Sequence, residues 1–443
     1  MDGMVRMIGL RMGTLGTQAA GRGEIGCESR SPLLALLDHV AGRVLGQGDG
    51  FAGLVERACG AALPGVDPVP GLAALLDALR EEAGLSPFGV LAARWDVERY
   101  VTNLERMAAA EARDPAILAE PVAAPLVVTG MPRSGTTFLH AILARDPASA
   151  VPRSWQTIAP YPAHGAARAR RDVAWQLRFF RLLAPGVAGL HMLGADAPQE
   201  CTEITGHVFR SLRFDTTHRV PSYRAWLAGE GHGEAYRFHR RFLRHLAHRQ
   251  GGVGRFVLKS PDHVFALDAL DATYPDARVV FVHRDPARVL PSVGRLTEVL
   301  RAPFARRVDP LEVGRQVLGD WVRGAGLMVA ASRTPRTGPP ALHLSYREVV
   351  TRPLETVAKI YRHFGMELDT LAAARMELAV ARRPDGGYPR HRYDLARYGF
   401  DTGMLREVFR AYREHFDIAE EPVRAAPALR PVRGWHWAGH AGT

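Results

Sequence analysis

The chain has 443 residues, 47% of them hydrophobic, and a net charge of +11. That is enough apolar material for a large core and more than one subdomain. The charge raises nucleic acid as a partner, but Lys259 and Lys359 are the only lysines and the arginines are scattered, as at Arg168, Arg170, Arg171, Arg237, Arg240, Arg241 and Arg244. A nucleic-acid track is therefore set aside in favour of small anionic substrates. Cys27, Cys59 and Cys201 are few, odd in number and far apart, which excludes a disulfide framework and a CxxC metal site. No apolar leader and no run of about eighteen apolar residues is present, so the expectation is a cytoplasmic protein without a membrane span.

Residues 1–30 are rich in Gly and Met without periodicity and are read as disordered, or as an overlong start. Residues 31–120 form a helical N-terminal segment: "LLALLDHVAGRVL", "LAALLDALREE" and "VERYVTNLERMAAAEA" carry apolar residues at three- and four-residue spacing. From Pro121 the character changes. "PLVVTG", "RFVLKS" (255–260), "RVVFVHR" (278–284) and "ALHLSY" (341–346) read as buried strands. Helical patterns follow at Thr136–Arg145, Asp262–Thr273, Pro286–Leu300 and Pro353–Phe364. Strands alternating with helices predict an α/β fold, a parallel sheet flanked by helices, spanning 121–420. Between the first two strands lies a mostly helical insert at 146–254, rich in Arg, His and aromatic residues and suited to be a lid or acceptor pocket. Residues 421–443 are a C-terminal tail.

The stretch "VVTGMPRSGTTFLHAIL", from Val127 to Leu143, looks like a phosphate-binding loop without its lysine. Gly130 and Gly135 keep the spacing G-x-x-x-x-G, but Thr136 stands where the lysine belongs, Thr137 follows, and Arg133 lies inside the loop. A strand, a glycine turn and a helix N-terminus aim N–H groups and a positive dipole end at one anion. Nucleotide triphosphatases need the loop lysine and a carboxylate-held Mg²⁺. Asp285, the one candidate carboxylate, is better explained as the N-cap before Pro286. A sulfuryl group carries less charge than a phosphoryl group, so protein cations could serve instead of a metal. Lys259 is notable because this chain has so few lysines: at a strand's C-terminal end, a compact ammonium can follow charge onto one oxygen. Lys359 lies on a late amphipathic helix and reads as solvated, and so do His245 and His248 on their Arg-rich helix.

These motifs, in this order, resemble those of the PAPS-dependent sulfotransferases (PAPS is 3′-phosphoadenosine-5′-phosphosulfate), in particular the bacterial sulfotransferase-3-like branch. The resemblance runs from about Pro121 to Asp401. It implies a P-loop-like fold, PAPS as co-substrate without a metal, and transfer of a sulfuryl group to a small-molecule hydroxyl acceptor. "PRSGTT" resembles the loop for the 5′-phosphosulfate, which implies contacts from Arg133, Ser134, Gly135, Thr136 and Thr137. "FVHRDPARVLPS" resembles the 3′-phosphate motif, implying Arg284 and Ser292. "SYREVVTRPLETVAKIYRHFGM" resembles the segment whose leading tyrosine, here Tyr346, meets adenine. "HRYDLARYGFD" resembles the closing motif, with His391, Tyr393 and Gly399, and "VLKSPDH" the lysine-bearing strand end.

Two residues compete as catalytic base. His263 stands at the third position of a turn capped by Ser260, where the dipole favours a neutral imidazole. Cytosolic relatives carry a histidine two residues past the lysine, where this chain has Pro261. Glu200, in "ADAPQECTEIT", matches an acidic position of the branch, with Glu203 one turn away as its structural neighbour. His263 is preferred because it shares a strand end with Lys259, and Lys259 and Arg133 are assigned to the transferred group. The competing readings are a degenerate P-loop kinase or NTPase, and a catalytically inactive nucleotide- or polyanion-binding protein.

Overall fold

The computed structural model describes residues 31–421 apart from 47, 62, 191, 192 and 382–393. His391 and Tyr393 lie outside the described residues, as does the N-terminal stretch 1–30. Five parallel strands form one sheet: β1 (Leu126–Gly130), β2 (Ser149–Ala150), β3 (Arg255–Lys259), β4 (Arg278–His283) and β5 (Leu342–Ser345), in the order β2-β3-β1-β4-β5. The fold is thus the expected α/β sheet flanked by helices, and every strand read from the sequence is present. Strand β2 was not foreseen; two residues carry no readable pattern.

The central strands β1, β3 and β4 hold because both their faces are dry. Along β1 and β4, Leu126, Val128, Val280 and Val282 face one core with Leu139 and Ile360. Their neighbours Val127, Val279 and Phe281 face the other, with Tyr100, Phe209 and Met107. This two-residue alternation across a parallel sheet is what a doubly covered strand requires. The second core joins the N-terminal helix Pro87–Arg113 to the insert: the buried Tyr100 ring meets His207, Phe209 and Phe214 edge-on, at 4.7–6.0 Å between centroids.

The registers Val128↔Lys259 and Gly130↔Val282 align the strand ends along one edge. The chain leaves β1 toward β3 on one side and reaches β4 on the other. The loop after β1 therefore sits at the topological switch point, where open α/β sheets bind ligands.

Two details differ from the sequence reading. The helix expected over Asp262–Thr273 is a 3₁₀ turn at Pro261–Phe265 and a separate helix at Leu267–Thr273, because Ala266 leaves helical geometry at ψ 28°. On the helix Gly233–Arg249, His245 is not solvated and His248 is only partly so. His245 is buried and bonded to Glu111 at 2.9 Å, and His248 pairs with Asp114 and Glu120 at 2.8 and 2.9 Å. The acids of the N-terminal segment neutralise that face. Lys359 is exposed, as expected, and pairs with Glu348 at 2.8 Å. No described helix is long and apolar enough to cross a membrane.

Glu111 gives this packing a pH signature. Burial opposes its ionisation, but hydrogen bonds from Arg241 and His245 outweigh that and bring its carboxyl down to about 2. A carboxylate with a depressed pKa contributes stability that is present above its unfolded value near 4.5 and lost as pH falls toward 2. Urea unfolding of Glu111→Gln should show a clear loss of stability at neutral pH that narrows steadily through that window. A loss independent of pH would mean the carboxylate charge is not its source.

Candidate active site

The loop between β1 and the helix Thr136–Leu143 is built on positions that only a few residues tolerate. Gly130 stands at φ 128°, and a Cβ there would lie 2.3 Å from the Val282 carbonyl oxygen. Gly135 caps the helix at φ 89°. Between them Arg133 is held at φ 62°, a strained left-handed conformation of the kind found where a side chain or backbone must be aimed. Ser134 is fully buried and donates to the Met131 carbonyl at 2.6 Å, which closes the turn on itself. Thr136 is buried in the first helical turn, and Thr137 beside it is half-buried.

Two cations flank the loop, one from each neighbouring strand. Lys259, last residue of β3, is 2% exposed. Its ammonium donates to Thr137 Oγ1 at 3.0 Å and forms an ion pair with the Glu200 carboxylate. Arg284 follows the end of β4. Its Nη1 donates to the Arg133 carbonyl at 2.7 Å, and its guanidinium lies 3.6 Å from the Tyr346 ring centroid. Arg133 Nε in turn donates to Ser292 Oγ at 3.0 Å. The structure thus brings together the loop, Lys259, Glu200, Arg284, Ser292 and Tyr346 at one sheet edge. Asp285 accepts from Ala287 N at 3.1 Å as the N-cap of the helix Pro286–Arg301. The described part of the closing motif buttresses that same helix: Tyr398 donates to Glu298 at 2.7 Å, and Gly399 ends the turn at φ 70°.

Glu421 was not foreseen. Its two carboxylate oxygens accept from Arg284 Nε and Nη2 at 2.8 Å each, and its own N–H donates to Asp285 at 2.9 Å. A bidentate carboxylate on Arg284 stands where an oxyanion of a ligand would bind. No periodicity or motif marks a glutamate 137 residues away in sequence.

The two candidate bases are placed differently. Glu200 is 24% exposed by its side chain and touches the Lys259 ammonium directly. His263 is 2% exposed, and its Nδ1 meets the Tyr236 hydroxyl. Its Nε2 is buried with no hydrogen-bond partner. Burial, reinforced by His239 and Lys259, lowers its pKa to about 3, so the imidazole is neutral and weakly basic. Asp262 precedes His263 in the same turn. Burial and the Glu200 charge push its carboxyl up to about 8, so it is protonated at neutral pH. Asp262, His263, Tyr236, Cys201 and Ser260 line a small pocket beside the Lys259–Glu200 pair, together with Leu212.

Glu200 is positioned from below. Glu203, on the same short helix Cys201–Thr205, is buried and forms ion pairs with Arg99 and Arg213 at 2.8 Å each. Asp96 pairs with the same two arginines at 2.6 and 2.5 Å. The N-terminal helix therefore fixes the segment of the insert that carries Glu200. Replacing one member of a buried ion network leaves the others uncompensated. Glu203→Gln should lower the unfolding free energy by about 3–5 kcal/mol in urea titrations. A variant as stable as the parent would show that the network is solvated.

The sequence model of the Sulfotransferase family matches residues 125–370, more than half of the chain. Among solved structures, the sulfotransferase STF1 of Mycobacterium tuberculosis H37Rv is 28% identical, with a TM-score of 0.66 over 85% of this chain and 98% of that one. The sulfotransferase STF9 of Mycobacterium avium, 24% identical, shares the fold with a TM-score of 0.67 over 90% of this chain and 99% of that one. No curated protein matches the chain.

Proposed function

Given that the chain belongs to the sulfotransferase family, we propose that it transfers the sulfuryl group of PAPS to the hydroxyl of a small molecule and releases adenosine 3′,5′-bisphosphate. The observation that carries this reading is the Lys259 ammonium, held between Thr137 of the loop and the Glu200 carboxylate. A cation, an anion-binding loop and a carboxylate meet at one point, which is what sulfuryl transfer to a hydroxyl needs.

The roles follow from the geometry. PAPS would lay its 5′-phosphosulfate along Arg133, Ser134, Gly135, Thr136 and Thr137, with N–H groups of the helix start as donors. Its 3′-phosphate would take the place of the Glu421 carboxylate on Arg284, with Ser292 close by through Arg133. Adenine would meet Tyr346, which already stacks under Arg284. His391 and Tyr393 keep the closing role that the resemblance implies for them. In the transfer step the acceptor oxygen attacks sulfur in line, the S–O bond to the phosphate breaks, and its electrons stay on the phosphate oxygen. Lys259 and Arg133 would stabilise that oxygen and the sulfuryl group, a contribution on the order of 10²–10³ in rate. The acceptor proton goes to Glu200.

Glu200 is favoured over His263 as base by two observations. It touches Lys259, whereas His263 spends Nδ1 on Tyr236 and holds a pKa near 3. His263 instead fixes Tyr236 on the wall of the small pocket beside Glu200, which has room for little more than one water. The neutral carboxyl of Asp262 in that pocket can donate to a polar acceptor.

The experiment is an acceptor screen with sulfur-labelled PAPS in excess EDTA, followed by variants on the acceptor found. Glu200→Gln should lower kcat by about 10²–10⁴-fold with nucleotide affinity nearly intact. His263→Ala should lower it far less. The reverse pattern makes the imidazole the base. A strict Mg²⁺ requirement with hydrolysis of ATP would replace sulfuryl transfer by the NTPase reading.

A further inference from the structure

Arginine is abundant in this chain, and the described arginines mostly meet acids. Arg241 pairs with Glu111, Arg210 with Glu234, and Arg224 with Asp320. One face of the helix Gly233–Arg249 departs from that rule. Arg237, Arg240 and Arg244 follow one another at three- and four-residue spacing, so their side chains stack along a single face about 10 Å long. None of the three has an acidic partner among the described residues. The single hydrogen bond from the three runs from Arg240 Nη1 to the Thr273 carbonyl, at 3.3 Å.

These arginines line a groove of about 440 Å³, whose other wall is the helix Leu267–Thr273 with Ala269, Ala272 and Thr273. That wall is small and uncharged. Asp271 on the same helix is turned away and pairs with Arg336 at 2.5 Å, and Asp268 is exposed outside the lining. Nε of Arg240 and Nε of Arg244 are buried against the protein without hydrogen-bond partners, so only the outer nitrogens of these guanidinium groups are left to meet a ligand. Burial and the charge of Arg240 press the Arg244 guanidinium below its usual pKa. Three like charges lining one concave site without an acid form an arrangement that a bound anion would complete.

We propose that the groove of Arg237, Arg240 and Arg244 is a second anion site, separate from the loop after β1, that binds a small molecule carrying clustered phosphate or sulfate groups. Guanidinium forks suit such oxyanions because each can present two parallel N–H donors. The volume is that of a small-ligand pocket rather than of a track for a polymer. The site lies beside the pocket next to Lys259. Tyr236 lines that pocket, Arg237 the groove, and the same two elements wall both, the helix Gly233–Arg249 and the segment Pro261–Thr273.

The test is binding, so it does not depend on any turnover. Pyrophosphate, and separately a sugar bisphosphate, is titrated by calorimetry into protein already saturated with adenosine 3′,5′-bisphosphate. One equivalent should bind, weakening as NaCl is raised, and the double variant Arg240→Gln/Arg244→Gln should weaken it at least about tenfold. Arg237→Gln, on an exposed residue, should weaken it severalfold without any effect on folding. The tighter of the two probes tells whether the group is recognised free or as an ester. The proposal fails if no anion binds once the nucleotide is present, or if both variants bind as the parent does. It also fails if a short DNA duplex binds more tightly than either probe through the same arginines, which would make the groove part of a nucleic-acid surface.

Discussion

The whole site depends on one constraint of parallel-sheet geometry. Because β3 and β4 pair with β1 on opposite sides and run in the same direction, all three strands end at the same edge. Whatever follows β3 and β4 must then flank the loop that follows β1. Lys259 ends β3 and Arg284 follows β4, which puts both there. Their separation in sequence is irrelevant; the register delivers one cation to each side of a loop whose backbone is already shaped for an anion. An arginine or lysine in the middle of these strands would point into one of the two dry cores; Arg255 and Arg278 stand at the opposite, half-buried ends of β3 and β4.

A second theme is how the chain handles buried charge. Lys259 is almost fully buried, and an isolated ammonium there would be strongly disfavoured. Glu200 offsets that, and Glu200 is itself held by Glu203, Arg99, Arg213 and Asp96. The same logic recurs where Arg241, His245 and Glu111 meet. The helical N-terminal segment supplies Asp96 and Arg99 in the first case and Glu111 in the second. It contributes no group to the loop, but it sets where the insert's groups stand. Glu421 on Arg284 and the groove arginines are two versions of the same problem: one cation covered by a carboxylate of the chain, and three cations without an acid among the described residues.

The sheet, the loop and both flanking cations were legible because each has a local signal. Buried strands appear as short apolar runs, the glycine spacing survives the loss of the loop lysine, and a lysine at a strand end is conspicuous where nearly every other cation is arginine. What escaped is what depends on distant partners. His245 looks solvated on a helix of arginines until Glu111, 134 positions away, is placed against it. The weighing of His263 against Glu200 turned on shared strand-end proximity, but burial and the Tyr236 hydroxyl decide which atom of His263 is available. The helix Pro310–Arg333 is masked by its glycines, yet Gly314 is required there because a Cβ would lie 2.0 Å from the Tyr398 carbonyl oxygen. Local propensity points away from a helix that tertiary packing demands. Glu421 leaves no trace in any pattern.

The central claim is that the edge formed by β1, β3 and β4 recognises a nucleotide through protein cations, with Arg284 on its 3′-phosphate. Calorimetric titration in EDTA with adenosine 3′,5′-bisphosphate, with AMP as the comparison, tests it without knowledge of the acceptor. A charge-assisted contact contributes about 1.5–3 kcal/mol, so Arg284→Ala should weaken the bisphosphate about ten- to a hundredfold and leave AMP nearly unchanged. Equal losses for the two nucleotides, or no binding of the bisphosphate to the parent protein, would contradict the account.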